Sequence, residues 1–331
     1  MSRLREMAAS GELEKRLASL RELESPCVLC PRMCGAHRSE GETGFCGATS
    51  QLEVASLVVH GGEEPVLTGG VGVGNAFLAH CNLECVFCQN SRISQTGVRY
   101  PMSPEKLAEG LLEMQGAGCP TLGFVSPTHQ LPSVTEAIAC AVPLGLDRPL
   151  VYNSNGYDSV KALKLVEGIF DIYLPDFKYA GEAEALELSA APGYPGAAIA
   201  AIAEMFRQVG PLELDCRGIA RRGLIVRHLV LPNDLARTRE VLALVASEVS
   251  PHVAVSLMAQ YNPLHRAGDF PLLSRKLRHR EYEAAVEALE ELGLEQGWVQ
   301  DWEGSPDAWV PDFGRDRPFR ESEGVGPSDL P

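Results

Sequence analysis

The stretch VGVGNAFLAHCNLECVFCQN, residues Val71–Asn90, decides the fold. Its first part is mostly apolar or small, as expected of a buried β-strand, and a C-x3-C-x2-C spacing follows at once, with Cys81, Cys85 and Cys88. A zinc site would lack its fourth ligand and a disulfide redox pair would need only two thiols, so both are the weaker alternatives. Three thiolates at the end of a strand favour a [4Fe–4S] cluster with one iron open to a further ligand.

The apolar run before these cysteines opens a pattern that recurs along the chain. Strands are predicted at Val71–Ala79, Thr121–Ser126, Leu150–Ser154, Asp171–Asp176, Gly223–Leu231 and Val253–Leu257. Helices are predicted at Pro104–Gln115, Leu131–Val142, Ser159–Val166, Ala197–Val209, Leu235–Val249 and Arg280–Leu292. Six strands alternating with helices predict an α/β fold with a parallel sheet, either doubly wound or a partial barrel. In both folds the functional side chains gather at the carboxyl ends of the strands.

A second cysteine group precedes this pattern. Within PCVLCPRMCGAHRSEGETGFCG, Cys27, Cys30, Cys34 and Cys46 supply four thiols on glycine-rich turns. Four ligands complete a metal site, and structural zinc and an auxiliary iron–sulfur cluster fit equally well because the spacing does not separate them. Disulfides are a weaker alternative in a reducing compartment. We therefore expect a second metal centre that helps this small segment to fold.

The chain is expected to divide into three parts. Residues 1–68 would form an N-terminal helix and the small cysteine-rich metal-binding segment, and residues 69–302 would form the barrel. Residues 303–331 are rich in Pro, Gly and charged residues with few aliphatics, so they are predicted to be a flexible acidic tail.

Composition limits the classes of partner. The formal net charge is −15 and the pI is near 5.0, which argues against nucleic acid and anionic membranes as partners. No apolar run approaches the length that crosses a bilayer, and the charged start of the chain does not look like a signal peptide. A cytoplasmic location is expected, in which the ten cysteines would be free thiols or metal ligands.

At these residues the chain resembles a known superfamily. Cys81-x3-Cys85-x2-Cys88, with Phe87 just before the last cysteine, looks like the signature of radical S-adenosylmethionine (SAM) enzymes. The stretches VYNSNGYDS, DIYLPDFKY, RGLIVRHLVLPN and LMAQYNPLH are similar to the pyruvate formate-lyase activating enzyme-like branch, over about Cys27 to Asp301. The resemblance implies a partial (β/α)6 radical SAM barrel with a [4Fe–4S] cluster whose open iron binds SAM. It further implies reductive cleavage of SAM to a 5′-deoxyadenosyl radical.

The resemblance also implies a set of SAM contacts. They are Phe87, Asn153, Ser154, Asp176, Lys178 and Arg227, and the Ser126 hydroxyl is added because it could accept from the SAM ammonium. Chemically, Lys178 suits the carboxylate of SAM and Asp176 suits its ribose or ammonium, although a plain ion pair at a strand end is the alternative. Two positions depart from the family pattern. Asn153 replaces an aspartate that helps to hold a cation, and a segment starting at Ser126 replaces a Gly-Gly-Glu run.

These features predict a radical SAM enzyme that abstracts hydrogen, acting as an activating enzyme of a glycyl-radical protein. One alternative is radical modification of another peptide or of a small molecule, and another is a non-catalytic metal-binding scaffold or electron-transfer protein. The partners implied are SAM, a glycyl-radical or other protein substrate, and a flavodoxin- or ferredoxin-like electron donor. The basic run Arg275–Arg280 is a candidate docking site for that acidic donor.

Overall fold

The computed structural model describes residues 2–97, 99–302, 310–313, 315, 318 and 319. Within them the strands are β1 (Glu53–His60), β2 (Val73–Leu78), β3 (Tyr100–Pro101), β4 (Leu122–Val125), β5 (Leu150–Ser154), β6 (Ile172–Pro175), β7 (Glu213–Leu214), β8 (Ala220–Leu229), β9 (Ala254–Met258) and β10 (Gly297–Val299). The α-helices are α1 (Ser2–Ala9), α2 (Glu12–Glu24), α3 (Pro65–Thr68), α4 (Ser91–Ser94), α5 (Pro104–Gly116), α6 (Leu131–Ala141), α7 (Val160–Leu165), α8 (Glu182–Ser189), α9 (Tyr194–Val209), α10 (Thr238–Leu244) and α11 (His279–Glu291).

One sheet organises the molecule, with the order β10-β9-β8-β6-β5-β4-β2-β1-β3. Neighbours from β2 to β10 are parallel, whereas β1 pairs antiparallel with β2 and with β3. The six strands predicted from the sequence are β2, β4, β5, β6, β8 and β9, and their observed ends lie within three residues of the predicted ones. Their carboxyl ends therefore meet at one edge of the sheet.

The sheet is curved into a partial barrel. Strands β2 and β9 stand at opposite ends of the six-strand set, yet Val73 and Ala254 belong to one buried apolar cluster. Val66 and Leu67 of α3 lie in the same cluster and fill the interior from the side of the strand starts. A flat sheet would not bring its two ends onto a common core. The prediction of an α/β fold with a partial barrel is confirmed.

The helices cover the outer face because their apolar residues recur every three or four positions. In α5, Leu107, Leu111 and Met114 are buried on one side, and the helix packs against α6. Its start is set by Ser103, whose side chain accepts a hydrogen bond from the Lys106 amide at 3.2 Å. Local capping and amphipathic spacing thus fix where this helix begins and which face it buries.

The predicted N-terminal part is joined to the barrel by the sheet itself. β1 lies within residues 1–68 but extends the barrel sheet by pairing with β2. At the other end of the chain, Phe313 is 5% exposed and its ring packs on Phe77 with 5.3 Å between centroids. Phe319 packs on His60 at 3.9 Å between centroids. The remainder of the predicted tail, 303–309, 314, 316–317 and 320–331, lies outside the described residues, and its flexibility stays a prediction.

Candidate functional site

The loop that follows β2 carries the three cysteines at the carboxyl edge of the barrel. Cys85 is buried, whereas Cys81 and Cys88 are half-buried. The loop is held against the end of α8, because the amides of Glu84 and Val86 donate to backbone carbonyls there at 3.0 and 2.9 Å. The three thiols thus lie on a loop whose backbone is fixed by hydrogen bonds at Glu84 and Val86.

Each of the three sulfurs has a polar side chain within hydrogen-bond reach. Asn155 Nδ2 donates to Cys81 Sγ at 3.3 Å, and Ser189 Oγ donates to Cys85 Sγ at 3.0 Å. Ser94 Oγ lies 3.4 Å from Cys88 Sγ. Hydrogen bonds to sulfur stabilise thiolate charge and tune a bound cluster. Sequence reasoning did not single out Ser94 or Ser189, since no motif marks them.

Burial opposes ionisation of these thiols. It raises the pKa of Cys81 to about 12 and that of Cys88 to about 11, with neighbouring cysteines adding to the effect. Burial likewise raises the pKa of Cys85. Thiolates grouped here therefore need compensating positive charge, which iron would supply. Within the described residues, no three or more His, Cys, Asp or Glu side chains lie close enough to hold a single metal ion, whereas the thiolates of a [4Fe–4S] cluster would each bind a different iron.

Asp176 and Lys178 form an ion pair just after β6. Lys178 Nζ lies 2.5 Å from Asp176 Oδ2, with the two side chains 19% and 23% exposed. Burial lowers the pKa of Lys178, but Asp176 and then Cys85 outweigh it, so that the pKa is raised and the ammonium persists. The strand-end ion pair considered from the sequence is thus present. Its position beside the cysteine loop also leaves both groups near the place where SAM is expected.

Arg227 on β8 is paired with two glutamates that sequence reasoning missed. Its Nη1 lies 3.2 Å from Glu63 Oε2, and its Nε lies 3.3 Å from Glu64 Oε1. The backbone of Arg227 pairs with that of Asp176, so the cluster adjoins the Asp176–Lys178 pair. The guanidinium therefore already has carboxylate partners from this chain.

Ser154 on β5 supports the scaffold. Its hydroxyl donates to Asp158 Oδ2 at 2.6 Å, and Thr128 and Tyr152 donate to Oδ1 of the same carboxylate at 2.6 and 2.8 Å. Ser154 and Asp158 are both 2% exposed. Burial raises the pKa of Asp158 and the three hydroxyls oppose that rise. This buried carboxylate ties the end of β5 to the segment after β4.

The remaining predicted contacts surround this network. Asn153 is the next-to-last residue of β5 and is half-buried, and its carbonyl accepts from the amide of Ser126 at 2.8 Å. Ser126 has a φ of 58°, a left-handed backbone angle that costs energy outside glycine. Phe87 is 8% exposed and packs edge-on against Tyr261, with 5.7 Å between ring centroids. The three residues lie at the same edge of the sheet, as the sequence predicted.

The N-terminal cysteine segment is fastened to the cysteine loop of the barrel. Arg32 donates from Nε to the Asn82 carbonyl and from Nη2 to the Ala190 carbonyl, both at 2.6 Å. Of the four cysteines, Cys27 and Cys30 are buried, Cys46 is half-buried and Cys34 is exposed. Arg38 is 1% exposed, and its guanidinium reaches backbone carbonyls and lies 3.9 Å from Cys27 Sγ. The two cysteine groups therefore belong to adjoining parts of one structure.

The basic run and the helices give two further observations. In the basic run, Arg275 is bound by Glu281, with Nη2 to Oε1 at 2.7 Å, so part of its charge is neutralised within the chain. None of the described helices combines the length and the apolar character needed to span a bilayer.

Comparison with known proteins gives the following likenesses. An uncharacterized protein of Methanocaldococcus jannaschii is 29% identical over 292 residues, covering 86% of this chain and 80% of that protein. No family model matches the chain.

Three solved structures are similar in fold at low sequence identity. The [FeFe]-hydrogenase maturase HydG is 10% identical with a TM-score of 0.48, covering 69% of this chain and 52% of that one. Streptococcus suis SuiB is 10% identical with a TM-score of 0.47, covering 68% and 48%. Methylornithine synthase is 14% identical with a TM-score of 0.46, covering 67% and 63%. The chain spans about half to three-fifths of the length of these proteins.

The strand order, the parallel register and the position of the cysteine loop together define the architecture. Six parallel strands curve around a common core, and the C-x3-C-x2-C loop follows the first of them. The chain has an α/β fold with a mostly parallel partial barrel.

Proposed function

We propose that this protein is a radical SAM enzyme in which Cys81, Cys85 and Cys88 hold a [4Fe–4S] cluster. The observation that carries the proposal is that three thiols, each with a polar neighbour in hydrogen-bond reach, stand on one loop at the carboxyl edge of the barrel. Three thiolates leave one corner of such a cluster available to SAM. When bound, cluster and SAM would supply a carbon radical that abstracts hydrogen.

The residues of the chain would position these groups and keep water away. Asn155 and Ser189 donate to two of the sulfurs, and the Lys178 ammonium raises local positive charge beside Cys85. Phe87 and Tyr261 supply an apolar wall next to the loop. Asp176 and Asn153 offer acceptors and donors for the ribose and the amino acid part of SAM. SAM binding would then require Lys178 to share or leave its bond with Asp176.

The finer assignment is an activating enzyme of a glycyl-radical protein. It is supported by the resemblance of VYNSNGYDS and DIYLPDFKY to that branch, which spans the β5 and β6 edges of the site. We further assign the N-terminal cysteines Cys27, Cys30, Cys34 and Cys46 to a second metal centre, either zinc or an auxiliary iron–sulfur cluster. A flavodoxin- or ferredoxin-like protein would donate the electron.

Anaerobic reconstitution tests the proposal. Protein purified without oxygen is supplied with iron and sulfide, and its iron content is measured. Dithionite and SAM are then added and 5′-deoxyadenosine is quantified. We expect the triple variant Cys81→Ala, Cys85→Ala, Cys88→Ala to lose about four iron atoms per chain and all SAM cleavage, as one cube carries four irons.

The exposed Cys216 provides a matched control, since Cys216→Ala removes a thiol far from both groups in sequence. This variant should keep the wild-type iron content and SAM cleavage. Full iron content and undiminished cleavage in the triple variant would refute the assignment. Iron binding without SAM cleavage in the wild type would instead favour an electron-transfer or scaffold protein. Candidate glycyl-radical proteins are then mixed with the enzyme and SAM, and electron paramagnetic resonance identifies those that acquire a radical.

A further inference from the structure

The segment between β1 and β2 places two glutamates inside the barrel. Glu63 accepts from Asn75 Nδ2 on β2 at 2.9 Å and pairs with Arg227 on β8 at 3.2 Å. In the sheet, β2 and β8 are separated by β4, β5 and β6, so this carboxylate bridges the interior from one side to the other. Glycine at position 123 makes the arrangement possible, because a Cβ there would lie 2.1 Å from Asn75 Oδ1.

The charges in this cluster do not balance. Two carboxylates, Glu63 and Glu64, face the one guanidinium of Arg227, while nearby Asp176 is already paired with Lys178. Glu63 has both the guanidinium and an amide as donors. Glu64 has the close approach of Arg227 Nε to Oε1 and a hydrogen bond from the Ser256 hydroxyl. One buried carboxylate therefore lacks a full counter-charge.

One oxygen of that carboxylate is without a hydrogen bond. The Glu64 side chain is 5% exposed, and its Oε2 is buried with no hydrogen-bond partner among the described residues. Leaving a buried acceptor without a hydrogen bond is unfavourable, and more so for a charged group. Native structures leave few buried polar atoms without a partner, and a bound ligand, ion or water molecule is one explanation for such an atom. Burial also raises the pKa of Glu64, as expected of a carboxylate that has lost its contact with water.

The cluster lies on the side of the barrel where the chemistry is expected. The Arg227 backbone pairs with Asp176, which is two residues from the lysine beside the cysteine loop. The charges of Arg227 and Glu64 both act on the pKa of His60 at the end of β1, so His60 also lies near the cluster. A group bound at Glu64 would thus be next to the proposed SAM position, within the barrel.

We infer that Glu64, supported by Glu63 and Arg227, binds a protonated amine or guanidinium group of the substrate. A cation of this kind donates to Oε2 and supplies the missing counter-charge, whereas a neutral or anionic group cannot do both. The inference rests on the proposed function, since it names the substrate class of that site. Such a cationic group could be a lysine or arginine side chain of a peptide substrate, next to the reacting carbon, or it could belong to a small amine. SAM also carries an ammonium, so the test separates the two sources.

The probes are n-butylguanidinium and its neutral analogue n-butylurea, titrated into anaerobically prepared protein by calorimetry. Wild-type protein should bind butylguanidinium at least about tenfold more tightly than butylurea, because a hydrogen bond between two charged groups is about twice as strong as one that involves a neutral donor. Glu64→Gln should lose that preference while its affinity for SAM stays at the wild-type value. Glu291→Gln, which removes an exposed carboxylate paired with Arg239, should behave as wild type.

Two results would overturn the inference. These are equal affinity for the two probes in the wild type and retention of the preference in Glu64→Gln. If that retained preference comes with a loss of SAM affinity, the carboxylate is assigned to the cofactor. The wild-type comparison needs no variant, so it decides even if Glu64→Gln does not fold. Probe binding is also measured apart from 5′-deoxyadenosine formation, so failure of the proposed function is recognised separately.

Discussion

Replacement of Ser154 by alanine distinguishes a scaffold residue from a SAM contact. The hydroxyl is 2% exposed, donates to Asp158 Oδ2 at 2.6 Å and accepts from the Gly156 amide at 3.2 Å. Losing a hydrogen bond to a buried charged group costs about 1.5–3 kcal/mol, and leaving the Gly156 amide without its acceptor costs about 1 kcal/mol more. We therefore expect Ser154→Ala to lower the free energy of unfolding by about 2–4 kcal/mol.

Two measurements check this expectation. Urea unfolding followed by circular dichroism gives the stability change, and calorimetric titration gives the SAM affinity of the folded variant. Ser274→Ala is the matched control, because that exposed hydroxyl only donates to the Pro271 carbonyl at 3.0 Å. If Ser154→Ala changes stability by less than about 0.5 kcal/mol, a value usual for surface sites, the reasoning about Asp158 fails. A tenfold loss of SAM affinity at unchanged stability would make Ser154 a direct contact.

Three more predictions follow from the site and its surroundings. Asn155→Ala removes the donor to Cys81 Sγ, so the cluster potential should become more negative in a redox titration followed by electron paramagnetic resonance; an unchanged potential contradicts this. Burial lowers the pKa of His228 from 6.5 to about 4, so this histidine binds its proton at a lower pH in the folded state than in the unfolded chain. Stability should then fall as pH drops from 6.5 toward 4, by up to about 3 kcal/mol, and His228→Gln should reduce the fall seen in unfolding curves. Gly156 has a φ of 79°, and a Cβ at this position would lie 2.2 Å from the backbone oxygen of Asp176, so Gly156→Ala should yield unfolded or insoluble protein. Gly196 has open space around it, so the control Gly196→Ala should leave the unfolding midpoint equal or higher.

The repeated strands were predictable because each is a continuous apolar run bounded by turn residues. β5 and β6 are examples, since their inner and outer faces are both buried. β10 was not predicted, because it is three residues long and Trp298 is only half-buried. α8 was also missed. Its apolar residues form a narrow stripe, and its role of holding the cysteine loop appears only in three dimensions.

The candidate site was predictable where residue types and spacing carry the chemistry. The three cysteines and the Asp176–Lys178 pair are of this kind, being close in sequence. The partners of Arg227 were not predictable, because Glu63 lies 164 residues away and only the curvature of the sheet brings the two together. The bond of Ser154 to Asp158 spans four residues, but no pattern marks one hydroxyl in a polar run as turned inward.

The short helix α3 gives the barrel a floor. Val66 and Leu67 plug the end at which the strands begin, and they do so with a packed apolar layer that includes Val73 and Ile225. In the described structure, a molecule that reaches Lys178 would therefore enter from the carboxyl ends of the strands, because this apolar layer closes the opposite end. A substrate bound near Lys178 would therefore extend no further inward than Val66 and Leu67.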